Sequence, residues 1–159
     1  YLYRNLNAWP YYYLADRVSL IENYDDLYGA EKGVAYFWKD SGAPVFPNKN
    51  SGSKGRVELE KFEFGEMVFS TTSKESEILV INDAWHPNWK AEIDQEVTPI
   101  IKTNGVLKGV VVPPGSHLVR LFFDNTPYRP GIWISLASWI VFISSWLWMA
   151  RRTKIRGEG

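Results

Sequence analysis

The strongest feature of the hydropathy pattern lies near the C-terminus. Ile132 to Ala150 is an apolar run of 19 residues without a charge, a proline or a glycine, interrupted only by four serines. At about 1.5 Å per residue a helix of this length measures ~28 Å, close to the roughly 30 Å of a bilayer's hydrocarbon core. Trp133 lies near one end, and Trp146 and Trp148 near the other, where indole prefers the membrane interface. Pro130 and Gly131 mark the start, and Arg151 and Arg152 follow directly after Ala150. The run predicts a transmembrane helix over 130–150. A buried helix of a soluble core rarely goes so far without a charge, and a signal peptide would stand at the other end of the chain. Gly131, Ser135, Ser138 and Ser145 recur at helical spacing, which predicts a stripe of small residues where another helix packs closely. A lone anchor whose serines bond their own backbone is the plainer alternative.

Upstream the period changes from helical to two. Tyr11 to Leu14 and Val34 to Trp38 read as strands. Between them, Ser19-Leu20-Ile21-Glu22 has the capping-box pattern, which predicts a short helix from Leu20 to Tyr28 ending at Gly29. Asp40 to Gly55, with Pro44, Pro47 and an Asn-Lys-Asn-Ser-Gly-Ser-Lys-Gly stretch, reads as loop. Val57 and Leu59 alternate with Glu58 and Glu60. Phe62 and Phe64 then take the opposite phase, which predicts a bulge near Lys61. Met67, Phe69 and Thr71 alternate, and Ser73 to Ser76 turns. Ile78 to Ile81 is continuously apolar, as in a strand buried on both faces. Trp89, Ala91 and Ile93 alternate up to a tight turn at Asp94-Gln95, with Val97 to Ile101 as the return. Asn104-Gly105 signals a hairpin. Leu107 to Val112 leads to Pro113-Pro114-Gly115, and His117 to Phe123 closes the series. About seven short strands predict an antiparallel β-sandwich, jelly-roll-like, with a short N-terminal helix.

Composition changes this picture in three places. Cysteine is absent, which removes disulfides, thiol nucleophiles, Cys-zinc sites and iron–sulfur clusters. The 18 basic and 18 acidic residues leave no basic excess for a nucleic-acid partner. The balance nevertheless hides a split. Arg151, Arg152, Lys154 and Arg156 face only Glu158, so the tail carries +3 and residues 1–129 carry −3. By the positive-inside rule the tail 151–159 is cytoplasmic and residues 1–129 lie outside. The chain opens on Tyr1 rather than Met, as expected of a piece of a longer or processed protein.

Little in the sequence points to catalysis. Asp83, His86, Glu92 and Asp94 are the densest polar group. They read either as an acid/base pair or calcium site, or as a strand end, a loop, an outward strand residue and a turn. The structural reading is favoured, because the spacing lacks the dense carboxylates of a calcium loop. Ser116-His117 is not a nucleophile site: no Gly-x-Ser-x-Gly elbow surrounds it, and adjacent strand residues point to opposite faces. Asp25-Asp26 reads as a solvated face. Phosphate-loop and Gly-x-Gly-x-x-Gly patterns are absent. Trp85 and Trp89 have the rigid aromatic surface that stacks on sugar rings. Trp89 is assigned to the core face with Ala91 and Ile93, which leaves Trp85, with His86 and Asp83, as the tentative ligand-binding group. No metal or cofactor is expected.

Three stretches together carry a resemblance. They are Asn82-Asp83-Ala84-Trp85-His86-Pro87-Asn88-Trp89-Lys90-Ala91-Glu92-Ile93-Asp94, the run Gly105 to Val119 with its Pro113-Pro114-Gly115-Ser116-His117 turn, and the apolar helix after the last strand. This resembles the C-terminal end of the bacterial YfhO-like membrane proteins, and Tyr3 to Pro10 is similar to the opening of that family's outer domain. Asn88 stands where glycine is usual, Gln95 replaces the glycine of an Asp-Gly turn, and Lys108 stands for an arginine. The family is similar to the many-span glycosyltransferases that use polyprenyl-phosphate sugars, whose catalytic acids lie in early extracytoplasmic loops. The resemblance implies a non-catalytic outer domain and last helix, anchored in the bacterial cytoplasmic membrane. Its expected partners are lipid, the parent protein's other transmembrane helices, and a glycan or lipid-linked sugar. The alternative is a self-contained, membrane-tethered carbohydrate-binding or adhesion module.

Overall fold

The computed structural model describes residues 8–42 and 55–156. Most of the predicted 40–55 loop, and Tyr3 to Asn7 of the stretch that carries the resemblance, lie outside the described residues. The chain separates into two units, 1–123 and 124–159.

The first unit is β throughout. Eleven strands are present among the described residues: β1 (Tyr12–Ala15), β2 (Arg17–Ile21), β3 (Val34–Trp38), β4 (Arg56–Glu63), β5 (Glu66–Ser73), β6 (Glu77–Ala84), β7 (Trp89–Ile93), β8 (Glu96–Thr98), β9 (Ile101–Thr103), β10 (Leu107–Val112) and β11 (Gly115–Phe123). One antiparallel sheet has the order β1-β6-β10-β9 and the other β4-β5-β11-β7-β8, while β2 and β3 form a separate parallel ribbon. The two large sheets are the expected sandwich. Met67, Phe69, Val119 and Leu121 from one meet Leu79, Ile81, Val110 and Val112 from the other in a single buried cluster.

The continuous apolar run of β6 is explained by this arrangement. Leu79 and Ile81 face the five-stranded sheet. Ile78 and Val80 face the opposite way, against Tyr13, Ala15, Ala35 and Phe37. The ribbon is therefore a third layer, and Val34 and Tyr36 bury its far side with Ile21. Asn104 secures that layer: its side-chain oxygen accepts from Tyr36 N (2.9 Å), and its nitrogen donates to the Tyr13 hydroxyl (2.8 Å). The Tyr13 hydroxyl in turn donates to Val34 O at 3.2 Å.

Several local expectations hold. The β4–β5 register shifts between Leu59 and Lys61, where the change of phase predicts a bulge. Asp94 and Gln95 have φ of 50° and 74°, and Asn104 and Gly105 have 49° and 85°, so both predicted turns are left-handed.

Three expectations need correction. No α-helix spans Leu20 to Tyr28. Ser19 lies within β2, paired with Tyr36, and the capping box belongs to Asn23 and Asp26, opening a 3-10 turn over Tyr24–Gly29. Two overlapping patterns compete at this point, and burial of Ile21 in the ribbon decides for the strand. Val97 to Ile101 is not one strand. It breaks before Pro99, which supplies no backbone donor, and the chain passes from β8 in one sheet to β9 in the other. The strand number also exceeds seven, because short pieces such as β8 and β9 carry too few alternations to be seen separately.

The second unit comprises a 3-10 turn (Thr126–Tyr128) and helix α1 (Arg129–Arg156). Pro130 occupies its first turn, where a missing N–H costs nothing. Thr126–Met149 is long and apolar enough to cross a membrane, and none of its apolar window is buried.

Gln95 is a non-glycine residue held at positive φ, a conformation that costs roughly 1–2 kcal/mol for an L-residue. Gln95→Gly is therefore expected to raise the urea midpoint of the full chain in detergent, with a gain of about 1 kcal/mol. Asn104→Ala is expected to lower stability by ~1–3 kcal/mol, by leaving Tyr36 N without its acceptor.

Candidate functional site

The polar residues picked out by the sequence are distributed among separate networks. The first lies at one end of the sandwich. Lys108 continues the inward-facing series of Val112 and Val110 along β10, and its side chain is completely buried. Asp83 continues the series of Leu79 and Ile81 along β6. The two meet at 2.6 Å between Nζ and Oδ2. The Lys108 ammonium also lies 3.5 Å from the centroid of the Trp89 ring, a cation–π contact strengthened by exclusion of water. Burial pushes the Lys108 pKa below its ordinary value, and Asp83 opposes that shift. Asp83 also accepts from Ala84 N at 2.8 Å.

Around this pair is an open cleft of about 360 Å³, lined by Tyr11, Phe62, Phe64, Met67, Asp83 and Trp89 among others. The Tyr11 hydroxyl points at the Met67 sulfur, 3.8 Å away. Its pKa is raised, first by burial and then by the charge of Asp83. His86 is exposed, and its ring lies 5.3 Å from that of Phe123. Its Nδ1 accepts from Asn88 N at 3.2 Å. Asp83 and His86 thus commit their polar atoms to different partners. Trp85 is half-buried, with Lys102 4.1 Å from its ring centroid. Trp89 packs against the sandwich core and edge-on to Phe123, as the alternation of β7 predicts.

Glu92 belongs to a second network, across the outer face of the five-stranded sheet. Arg120 on β11 donates to Glu66 on β5 (2.6 Å) and to Glu92 on β7 (3.1 Å), and Lys61 on β4 reaches Glu66 at 2.5 Å. This is a cross-strand charge ladder tying four strands together.

The third network is Asp94 with His117. His117 Nδ1 donates to Asp94 Oδ2 at 2.7 Å, and Nε2 faces the Pro114 carbonyl at 3.1 Å. A carboxylate and a carbonyl both accept, so this geometry satisfies the doubly protonated imidazolium. The pKa of His117 is raised, chiefly by the Asp94 hydrogen bond, and that of Asp94 is lowered by the same bond. An imidazolium with both N–H groups engaged has no lone pair for general-base work. Ser116 Oγ bonds instead with Thr72 Oγ1 at 3.0 Å. Among the described residues no group of three His, Asp or Glu side chains gathers closely enough to hold a metal.

On α1, Trp133, Trp146 and Trp148 are exposed, and the helix runs on through Arg151 and Arg152. Ser135 and Ser138 line a shallow groove with Trp139 and Phe142. Ser138 Oγ donates back to Ile134 O at 2.9 Å, so that hydroxyl is satisfied within its own helix. A Cβ added at Gly131 would meet nothing within 4 Å.

Sequence reasoning missed the inward cation of Lys108 and the pairing of Asp94 with His117. A single Lys inside the aliphatic run 107–112 was the available signal for the first. The second depends on two turns meeting across a sheet, which spacing does not encode. Comparison with protein families, characterised proteins and solved structures finds no match for this chain.

Two outcomes are expected from these networks. Asp83 is partly exposed and Lys108 is not, so the two halves of the pair are unequal. Asp83→Ala leaves a buried ammonium without its counter-charge and should cost about 3 kcal/mol. Lys108→Met leaves a carboxylate that water can reach, and should cost about 1 kcal/mol or less. Urea denaturation of the two variants checks the order.

For the His117–Asp94 pair the signs run oppositely. The raised His117 pKa gives stability that is full below the ordinary value of about 6.5 and is lost as pH rises through the folded value. The lowered Asp94 pKa gives stability that is full above the ordinary value of about 3.9 and is lost as pH falls through the folded value. The difference in urea midpoint between the native chain and His117→Gln should therefore be largest between roughly pH 4 and 6.5, shrinking on either side.

Proposed function

We propose that this chain is a non-catalytic β-sandwich domain held outside the cytoplasmic membrane by its C-terminal helix, as in the outer domain of a YfhO-like membrane protein. The observation that carries this reading is the contrast between the two units. The sandwich ties Asp83, Glu92 and Asp94 into ion pairs, whereas α1 exposes apolar side chains from Ile132 to Met149. Isoleucine, tryptophan and phenylalanine exposed along a whole helix are stable in lipid and costly in water.

The basic residues after Ala150 favour a cytoplasmic C-terminus, with the sandwich on the outer side. The parent protein would then carry out glycosyl transfer to a cell-envelope glycan, with catalysis located elsewhere in it. The sandwich would contribute contacts to glycan or lipid-linked sugar through Trp85, His86 and Asp83, of which Asp83 lines the cleft. The small-residue stripe Gly131, Ser135, Ser138 and Ser145 would face a neighbouring helix.

Because the chain has no cysteine, single-cysteine labelling tests the topology without background. With the chain in intact bacterial cells, Glu96→Cys is expected to react with a membrane-impermeant maleimide and Gly157→Cys only after lysis. The reverse pattern would overturn the orientation. Labelling of both in intact cells would remove the span.

A further inference from the structure

The two ends of the sandwich differ sharply in chemistry. Strand β11 leaves the sandwich at Phe123, and only Asp124 and Asn125 separate it from the apolar segment Thr126–Met149. Three Cα–Cα steps reach at most ~11 Å, so Phe123 is covalently tethered within that distance of Thr126. The β4–β5 hairpin turns at this same end, where Phe123 N donates to Gly65 O at 2.8 Å. Its tip carries Phe62, 62% exposed, and Phe64, entirely exposed. Tyr11 packs edge-on to Phe62 with ring centroids 5.9 Å apart and is itself exposed. The loop that holds Trp85 is joined here to the β9–β10 turn, through Trp85 N to Val106 O at 2.8 Å, and Val106 is also exposed.

At the opposite end, where Gly115 pairs with Ser73, the turns are Ser73-Lys74-Glu75-Ser76 and Asp94-Gln95. Ser73 is buried and Lys74, Asp94 and Gln95 are exposed, so these turns are polar where they meet water, although Val97 beyond the second is exposed as well. Two phenylalanines on a hairpin tip are a different case, because each leaves a large apolar area in water that burial would recover.

We infer that the sandwich end bearing Phe62, Phe64, Tyr11 and Trp85 is a membrane-contacting surface, with the hairpin tip seated in the headgroup–acyl boundary of the bilayer. This rests on the reading of α1 as a membrane span. A lipid surface is the fitting occupant for two reasons. Phe123, at the apolar end, is tethered within ~11 Å of Thr126, where the apolar segment begins. The residues of that end are also the aromatic types that favour the interface, where Tyr and Trp keep a polar atom in the headgroups while Phe enters the acyl boundary. Charge does not drive the contact: Glu63, between the two phenylalanines, is paired with Lys61 at 3.1 Å. The contact should therefore form on zwitterionic lipid and withstand salt.

Environment-sensitive fluorophores on single cysteines test this in the full chain reconstituted in phosphatidylcholine vesicles. Three positions are labelled one at a time: Phe64→Cys at the tip, Lys74→Cys at the far end and Ser144→Cys in the helix. Quenchers are carried either on spin-labelled lipid or in the aqueous phase. The label at 64 is expected to be blue-shifted, and quenched by spin-labelled lipid at least about twofold more than the label at 74, as a tip ~5–10 Å into the boundary requires. If 144 is quenched by lipid while 64 behaves like 74, the surface does not touch the membrane and the inference fails, with the span intact. If 64 is blue-shifted yet untouched by lipid-borne quencher, protein covers it instead, a second copy included, and the inference also fails. If 144 itself is not quenched by lipid, the span reading fails and the inference goes with it.

Discussion

Burial of Ile78 to Ile81 on both faces obliges the chain to build a layer on each side of β6. Alternate residues of the strand point in opposite directions, so four successive aliphatic side chains need two separate apolar partners. The five-stranded sheet supplies one, through Met67, Phe69, Val119 and Leu121. The β2–β3 ribbon supplies the other, through Ala35 and Phe37. Without the ribbon, Ile78 and Val80 would face water, and the four-stranded sheet would present an apolar outer surface. The β2–β3 ribbon is therefore part of the core construction, and Asn104 reaches across from the β9–β10 turn to hold it.

The same constraint explains what could be read along the chain and what could not. Alternation at Val57 to Glu60, Met67 to Thr71 and Trp89 to Ile93 is local and encodes strands directly. The turns at Asp94-Gln95 and Asn104-Gly105 are equally local, because they depend on which residues tolerate positive φ. The ribbon is different. Ser19 to Glu22 satisfies a capping pattern as well as any helix start does, and the next such pattern, Asn23 to Asp26, is the one used. What separates them is a partner strand 17 positions away in register, Tyr36 opposite Ser19. Sheet membership is non-local in the same sense: Val97 and Ile101 are four residues apart yet belong to different sheets. At the candidate site, Asp83, Glu92 and Asp94 were visible as a cluster in sequence. Their division among Lys108, Arg120 and His117 was not, because all three partners come from β10 and β11.

That division also bears on what the sandwich does. A catalytic carboxylate or imidazole needs a lone pair or a proton available to substrate. Here Glu92 and Asp94 are spent on cations that hold strands together, and His117 has both ring nitrogens engaged. His86 is exposed with its Nδ1 engaged by Asn88 N, and the cleft of Asp83 is open on the side of Tyr11 and Trp89. Even there Asp83 serves as counter-charge to a lysine with no exposure of its own. The described ion pairs thus mainly stabilise a framework, and the exposed apolar residues include Ile132 to Met149 on α1 and the aromatic tip of the β4–β5 hairpin.

The units that carry those two apolar surfaces are joined by a short connection, Asp124–Asn125. A pair of phenylalanines on an isolated domain would bind a bilayer weakly, since transfer of a small area must offset the lost freedom of the whole molecule. A domain already tethered by a spanning helix has met that entropic cost through the helix. The second contact then becomes intramolecular, at an effective concentration set by the connection, in the millimolar range for short links. If α1 spans a bilayer, a modest apolar tip would be enough under those conditions to favour contact with the surface. In that case, lengthening the Asp124–Asn125 connection would weaken the coupling without altering a single residue of either contact, because the effective concentration falls as a link grows.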